Sequence, residues 1–224
     1  RAFQRKSNNY IDDTEVNVQR RVVGGWDSIL NHKAFIQDAT LESNLTYKRG
    51  TGAFGSIPAP EEAFNDGTSR FALVIADVNL TLPFKVVGPN NEVQRIRYNG
   101  SWRIQKNRTP LTQQDRFVIG GRYTVRGYDG ESVLSAERGW FWRNDLSFTL
   151  GDSGQEFYLG LDTGQVGGPS SELLVAKRLT GAVLGLRGSI QKLNYDFFIG
   201  APVNKPDNFK TSGSTAGFSL SASF

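Results

Sequence analysis

Apolar and polar side chains alternate along most of this chain, and this alternation constrains the fold more than any other feature of the sequence. One segment has an apolar residue at every second position from 72 to 84, and the last has Phe218, Leu220 and Ala222 between serines. Period two is the side-chain period of a β-strand, and segments of about 9–13 residues match tilted strands that cross a membrane. The sequence therefore predicts an all-β fold with nine long strands.

The connections between these strands alternate between short and long. They fall near residues 26–31, 50–68, 86–91, 106–137, 151–154, 165–177, 191–192 and 200–213, and every second one is long. Outer-membrane barrels have short periplasmic turns and longer extracellular loops. Residues 1–13 show no regular alternation of apolar and polar side chains. Residues 25–28 are predicted to link the first two strands.

Aromatic residues lie near the strand ends on the apolar face, where an interfacial girdle is expected: Tyr47, Trp102, Trp140, Trp142 and Phe224. We therefore predict a transmembrane antiparallel β-barrel. The alternative is a soluble β-sandwich or a soluble barrel, but the strands of such folds are usually only about 5–6 residues long. Because bacterial barrels normally have an even number of strands, nine strands indicate part of a larger barrel. The Arg1 start and the lack of methionine also indicate a processed chain or a fragment.

The longest connection carries a glycine-rich motif at residues 117–128, FVIGGRYTVRGY. Gly120, Gly121 and Gly127 allow backbone conformations that other residues avoid, and Arg126 can project from the resulting bend. Long loops that carry a motif are more often functional than simple spacers. We therefore predict a functional loop with Arg126 as its central side chain.

The alternation of inward and outward side chains along the predicted strand at residues 155–164 indicates a partner for Arg126. Because Leu159 and Leu161 face lipid, Asp162 must face the lumen, where a charge needs a partner or water. Arg143 and Asp145 on a neighbouring strand also point inward. We predict that the loop folds back into the lumen and that Arg126 binds Asp162 through two hydrogen bonds. The alternative is two solvated charges in separate loops.

Other chemistry is sparse in the sequence. The chain has one histidine and no cysteine, which excludes a multi-histidine metal site, a disulfide framework and a thiolate metal site, and we interpret His32 as a strand-edge residue and not as part of a catalytic triad. The net charge of +4 is spread along the chain without the basic run expected for nucleic-acid binding. We expect no enzyme activity, no cofactor, no metal and no nucleic-acid partner.

Three motifs resemble the TpsB family of outer-membrane transporters, in the BamA-like superfamily. They are residues 117–128, residues 138–146 (RGWFWRNDL) and residues 161–164 (LDTG). TpsB proteins act in two-partner secretion systems of the haemolysin, filamentous-adhesin and contact-dependent-inhibition type. The resemblance covers about residues 69–224 well and the first strands only by pattern.

The resemblance implies a 16-stranded barrel, of which residues 1–224 would be the last nine strands. The preceding strands, a plug helix and two POTRA domains would be absent from this chain. Residues 106–137 would be the sixth extracellular loop, folded into the pore. The implied residues of the loop and its receptor on the barrel wall are Val125, Arg126, Gly127 and Tyr128 with Asp162 and Gly164, supported by Gly120, Gly121, Arg143 and Asp145.

The implied function is export of one large exoprotein across the outer membrane, with outer-membrane lipid and the barrel assembly machinery as further partners. The terminal pattern of Phe218, Leu220 and Phe224 resembles the assembly signal of outer-membrane barrels. Two alternatives remain open: a BamA-like or TamA-like insertase, and a small-solute porin.

Overall fold

The computed structural model describes residues 1–16, 19–89 and 91–222. Ten strands form the main sheet: β1 (Ala2–Ser7), β4 (Arg21–Ile36), β5 (Ala39–Thr51), β6 (Ala72–Val87), β7 (Val93–Asn107), β10 (Arg138–Leu150), β11 (Gln155–Gly167), β12 (Arg178–Ile190), β13 (Leu193–Asn204) and β14 (Thr215–Ala222). Two small ribbons pair β2 (Tyr10–Ile11) with β3 (Thr14–Glu15), and β8 (Phe117–Ile119) with β9 (Leu134–Ala136). Short 3-10 helices occupy Pro60–Phe64, Gln113–Asp115 and Pro169–Leu173. None of the helices in these described ranges is long and apolar enough to cross a membrane.

The main sheet is an antiparallel meander in which each strand pairs with its nearest neighbours in the chain, in the order β1-β4-β5-β6-β7-β10-β11-β12-β13-β14. This is the architecture that the alternating sequence predicted. The sheet has ten strands and not nine, because Ala2–Ser7 pairs with β4. The expectation that residues 1–13 lie outside the strands was wrong: a six-residue strand is too short to show a clear period.

The first long hairpin also differs from the prediction. Strand β4 continues through residues 25–28, and the chain turns at Gln37 and Asp38. The glycines at 24 and 25 are not turn residues. A Cβ atom at Gly24 would overlap the carbonyl oxygen of Ala53, so glycine allows a close backbone approach within a strand.

The two faces of the sheet differ in the polarity and in the solvent exposure of their side chains. The outer face, defined as the side that carries the exposed apolar residues, includes Leu159 and Leu161, which are 47 % and 54 % exposed. The inner face carries most of the charged residues, and Asp162 on this face is 0 % exposed. Asp162 is buried because residues 108–137, the long loop between β7 and β10, cover this part of the inner face.

The largest buried apolar cluster lies between this long loop and the inner face. Its members come from the long loop, from the wall and, for the last of them, from the connection between β13 and β14: Phe117, Ile119, Val125, Tyr128, Leu134, Ala136, Phe141, Val166, Leu179 and Phe209. Burial of these side chains contributes to the free energy that holds the loop against the sheet.

The long loop contacts both edge strands of the sheet. Asp115 accepts two hydrogen bonds from Arg5 of β1, at 3.0 and 2.7 Å, and Arg122 donates to the carbonyl oxygen of Phe218 in β14 at 2.5 Å. The long loop therefore reaches from one edge of the sheet to the other.

Candidate functional site: the loop lock

The motif at residues 117–128 begins at the β8–β9 ribbon, which anchors both ends of the loop tip. Gly120 leaves the ribbon with φ +107°, and Gly127 has φ +97°. Both values lie in the region that disfavours side chains, as predicted. At Gly127 a Cβ atom would also lie 2.5 Å from the carbonyl oxygen of Ala201. Gly121 has neither a positive φ nor a described neighbour within 4 Å of a Cβ position, so the expected special conformation at Gly121 was wrong.

Arg126 is bound by the carboxylate of Asp162 through three hydrogen bonds. Its backbone N–H and its Nε donate to Oδ2 at 3.0 and 2.6 Å, and its Nη2 donates to Oδ1 at 2.8 Å. Nη2 also donates to Oδ1 of Asp145 at 2.5 Å. Arg126 is 3 % exposed and Asp162 is fully buried, so contacts between the two charged groups replace their contacts with water. We call the contacts among Arg126, Asp145 and Asp162 the loop lock.

The loop lock belongs to a larger charged network on the inner face. Arg143 lies 3.9 Å from Asp162, and Arg187 bridges Asp145, at 3.4 Å, to Glu156, at 3.0 Å. Burial alone would lower the pKa of Arg126, but the carboxylates of Asp162 and Asp145 outweigh it and raise that pKa above its ordinary value. Arg126 is therefore positively charged at every physiological pH.

Glycines in the wall make room for the locked loop. A Cβ atom at Gly164 would lie 3.0 Å from the side chain of Val125, and one at Gly160 would lie 2.8 Å from Nη2 of Arg126. A Cβ atom at Gly181 would overlap the carbonyl oxygen of Arg126. The predicted wall residue Gly164 is thus one of three glycines on the inner faces of β11 and β12 that let the loop backbone approach.

Tyr128 occupies an irregular point of the sheet. Its hydroxyl is within hydrogen-bond range of the carbonyl oxygens of Thr180, at 3.0 Å, and Asn204, and it accepts from the N–H of Thr180 at 3.2 Å. The register between β12 and β13 shifts at this position, between Thr180 and Gly181. Tyr128 therefore satisfies backbone groups that the interrupted ladder leaves without strand partners, and it fixes the loop tip to both strands.

Asn144 was not selected from the sequence as a site residue, although it lies directly behind the loop lock. The β10–β11 ladder is interrupted here: Trp142 pairs with Thr163 and Asp145 with Gly160, with no ladder pairs between. The backbone N–H of Asn144 donates to Oδ1 of Asp162 at 3.4 Å, and its side-chain amide donates to the carbonyl oxygen of Leu161 at 2.8 Å. Asn144 thus replaces the backbone bond that Leu161 would otherwise lack.

A signal for Asn144 was present in the sequence. By phase it falls on the outer face between Trp142 and Leu146, where an amide side chain is out of place. Its Oδ1 accepts from the Tyr98 hydroxyl at 2.6 Å, so both ends of the amide have partners. A polar residue in a lipid-facing series was therefore an indication of a broken ladder.

The residues of the predicted assembly signal lie at the sheet edge. Phe218 and Leu220 of β14 are on the outer face, 61 % and 53 % exposed, and pair with Phe197 and Tyr195. Phe224 lies outside the described residues. Within the described ranges, no group of three or more His, Cys, Asp or Glu side chains is arranged to hold a metal.

A long-stranded antiparallel sheet with an apolar outer face, and with a long loop bound to its charged inner face, defines part of an outer-membrane β-barrel. The family model of the haemolysin secretion/activation proteins ShlB/FhaC/HecB matches residues 2–188. The chain belongs to this family, which confirms the predicted resemblance and fold class.

Two curated relatives match almost the whole chain. The outer membrane transporter CdiB-2 of Burkholderia pseudomallei is 36 % identical over 100 % of this chain and 38 % of its own length. The outer membrane transporter CdiB of Dickeya dadantii is 23 % identical over 99 % of this chain and 39 % of its own length. The chain thus spans less than half of either relative. The names confirm the predicted location in the outer membrane.

Solved structures agree with these matches. CdiB from Acinetobacter baumannii superposes with a TM-score of 0.83 at 32 % identity, covering 98 % of this chain and 37 % of that structure. CdiB from Escherichia coli has a TM-score of 0.84 at 22 % identity, covering 100 % of this chain and 41 % of that structure, and it supports the fold alone.

Proposed function

We propose that the protein to which this chain belongs exports a large secreted polypeptide across the outer membrane in two-partner secretion. Family membership supports this proposal, and the observation that carries it is the set of hydrogen bonds between Arg126 of the long loop and Asp162 of the inner face. A loop bound inside a barrel by a buried ion pair has a defined resting position from which it can be released.

In this proposal residues 1–224 form the C-terminal part of the barrel, and residues 108–137 form an extracellular loop that rests in the pore. Residues 125–128, Asp162 and Gly164 hold the loop, and Arg143 and Asp145 support them. The tight turns at 37–38, 88–92, 151–154 and 191–192 then face the periplasm. Client recognition belongs to parts of the protein outside this chain.

The chemistry of the inner face suits a polypeptide pathway. Opposite charges are paired along it, as in Arg103 with Asp77 at 2.5 Å and Arg187 with Glu156 at 3.0 Å. A polypeptide that passes through a pore must bind its wall weakly enough to leave again. A hydrated wall of paired charges suits this requirement, because it offers an extended chain neither a continuous apolar surface nor a surface of one charge sign. The proposed partners are the exoprotein, outer-membrane lipid and the barrel assembly machinery.

The test is export of the large protein encoded beside this gene by the full-length transporter. Wild type would be compared with Arg126→Ala, Asp162→Ala and the matched control Arg103→Ala, which removes an inner-face arginine that pairs with Asp77 rather than with the loop. We expect normal barrel levels throughout, with export impaired only by the first two changes. Normal export by both lock variants would refute the role of the lock, and no export by wild type would favour an insertase or a porin.

A further inference from the structure

Lys106 and Arg138 are neighbouring basic side chains on the outer face, and neither has an ion-pair partner among the described residues. Lys106 is the second-last residue of β7 and Arg138 begins β10, and both are exposed. Gly139 pairs with Gln105 and Trp140 with Ile104, so the same register places Arg138 opposite Lys106. Together with Gln165 they line a cavity of about 230 Å³.

A larger apolar groove continues from this cavity, and Ile104 and Trp140 line both. The groove has a volume of about 460 Å³, and its walls include Leu80, Trp102 and Trp142. Trp102 and Trp142 are 49 % and 47 % exposed, so nothing in the described protein covers them. The two cavities form one amphipathic site with a cationic end and an aromatic trough.

The length of this site matches one leaflet of a membrane. From Lys106 to Gly100, which lies at the far end of the groove, there are six residues, or about 20 Å of strand at ~3.4 Å per residue. With a strand tilt of about 40°, this distance covers roughly 15 Å of depth, about half of a ~30 Å hydrocarbon core. The groove ends where the ring of Tyr98 lies over Gly100.

We propose that Lys106, Arg138 and the adjoining groove bind a phosphate-bearing lipid of the outer leaflet. The two cations hold the phosphate, for which the guanidinium fork of arginine is suited, and an acyl chain lies along Trp102, Trp140 and Trp142. The orientation rests on the proposed function, because β7 ends and β10 begins beside the long loop that faces the cell exterior. A bound lipid there would brace the two strands that carry this loop.

Binding would be measured by native mass spectrometry of the purified full-length transporter in detergent, with lipid A and its dephosphorylated form as probes. The test variant is Lys106→Gln with Arg138→Gln, and the matched control is Arg49→Gln. Arg49 lies at the same rim opposite Trp26 but does not line the groove. A basic side chain near an anionic surface contributes about a fivefold change in affinity, so the double variant should bind lipid A roughly 30-fold more weakly. The control should stay within a factor of about five.

Equal affinity for both lipids would overturn the proposal, and so would an equal loss in the Arg49 variant, since either result means nonspecific attraction to the rim. Displacement of the lipid by millimolar inorganic phosphate would assign the site to free phosphate and refute the lipid. If the Gln variants do not assemble, Trp142→Ala tests the apolar half alone and should lower lipid affinity. Because binding is measured without export, its outcome is independent of the proposed transport function.

Discussion

Replacement of Arg126 by alanine is the most direct perturbation of the loop lock. The change would remove two of the three hydrogen bonds that Asp162, which is 0 % exposed, accepts from residue 126, together with the compensating positive charge. The backbone N–H of residue 126 could still donate to Asp162. Removing one partner of a buried ion pair costs about 3–5 kcal/mol, because the remaining charge stays desolvated. This energy corresponds to a rise of roughly 10²- to 10³-fold or more in the population of the released loop.

The release can be measured by thiol labelling. Residues 1–224 contain no cysteine, so Val125→Cys introduces one reporter into this part of the barrel, at a position that is 0 % exposed in the docked loop, and labelling is read at residue 125 by mass spectrometry. A water-soluble maleimide then reacts only when the loop leaves the wall. In the Arg126→Ala background we expect the labelling rate to rise at least about 100-fold. The control Arg103→Ala removes a half-exposed pair worth about 0–1 kcal/mol and should change the rate by less than about fivefold.

Two results would refute this reasoning. An unchanged labelling rate in Arg126→Ala would mean that apolar burial alone holds the loop. Fully additive effects of Arg126→Ala and Asp162→Ala in the double variant would mean that the two residues act separately, since directly coupled residues give non-additive changes. We expect the double variant to resemble the worse single variant or to exceed it in stability, because it leaves no buried charge unpaired.

Three further predictions concern the surroundings of the loop lock. Gly127→Ala combines a φ of +97° with a steric overlap, so it should release the loop and speed the same labelling reaction by about tenfold or more. Asn144→Leu leaves the carbonyl oxygen of Leu161 without its side-chain donor and should lower the free energy of unfolding in urea by about 1–3 kcal/mol. The N–H groups of Ser212 and Glu131 lower the pKa of Asp129 to about 2, so the contact of Asp129 with the loop between β13 and β14 is present above about pH 4 and is lost as the pH falls through 2. Pepsin cleavage beside Phe209 should increase over that range in wild type but not in Asp129→Asn.

The face occupied by Asp162 was predictable because strand phase is local. Leu159 and Leu161 could only face one way in a period-two strand, and the charge of Asp162, next to Leu161, had to face the other. The second acceptor was harder to predict from the sequence. The alternation along β10 placed Asp145 on the inner face, but its contact with the guanidinium of Arg126 depends on the register of β10 against β11. Register is a property of two strands together, and the sequence of either strand alone does not contain it.

The first hairpin shows where local signals mislead. Glycines at 24 and 25 beside Asp27 and Ser28 have the composition of a turn, yet they serve a close approach of neighbouring backbones. The real turn at Gln37 and Asp38 contains neither glycine nor proline, and Gln37 adopts a φ of +54°. The presence of typical turn residues is therefore a weaker guide to the position of this hairpin than the length of the strand pairing. Here that length is set by the thirteen residues of β5 that pair with β4.

A transporter of the proposed kind must hold its loop firmly at rest and still release it, and a buried ion pair meets both requirements. Separating Arg126 from Asp162 while both remain buried is costly, so small fluctuations do not open the loop lock. Moving the whole loop into water is less costly, because each charge regains hydration that roughly offsets the lost attraction. An apolar anchor of the same size would not show this difference between the two costs. Apolar side chains gain nothing from water, so their full contact energy would oppose release of the loop. The charged lock therefore specifies where the loop rests while adding little to the energy that transport must overcome.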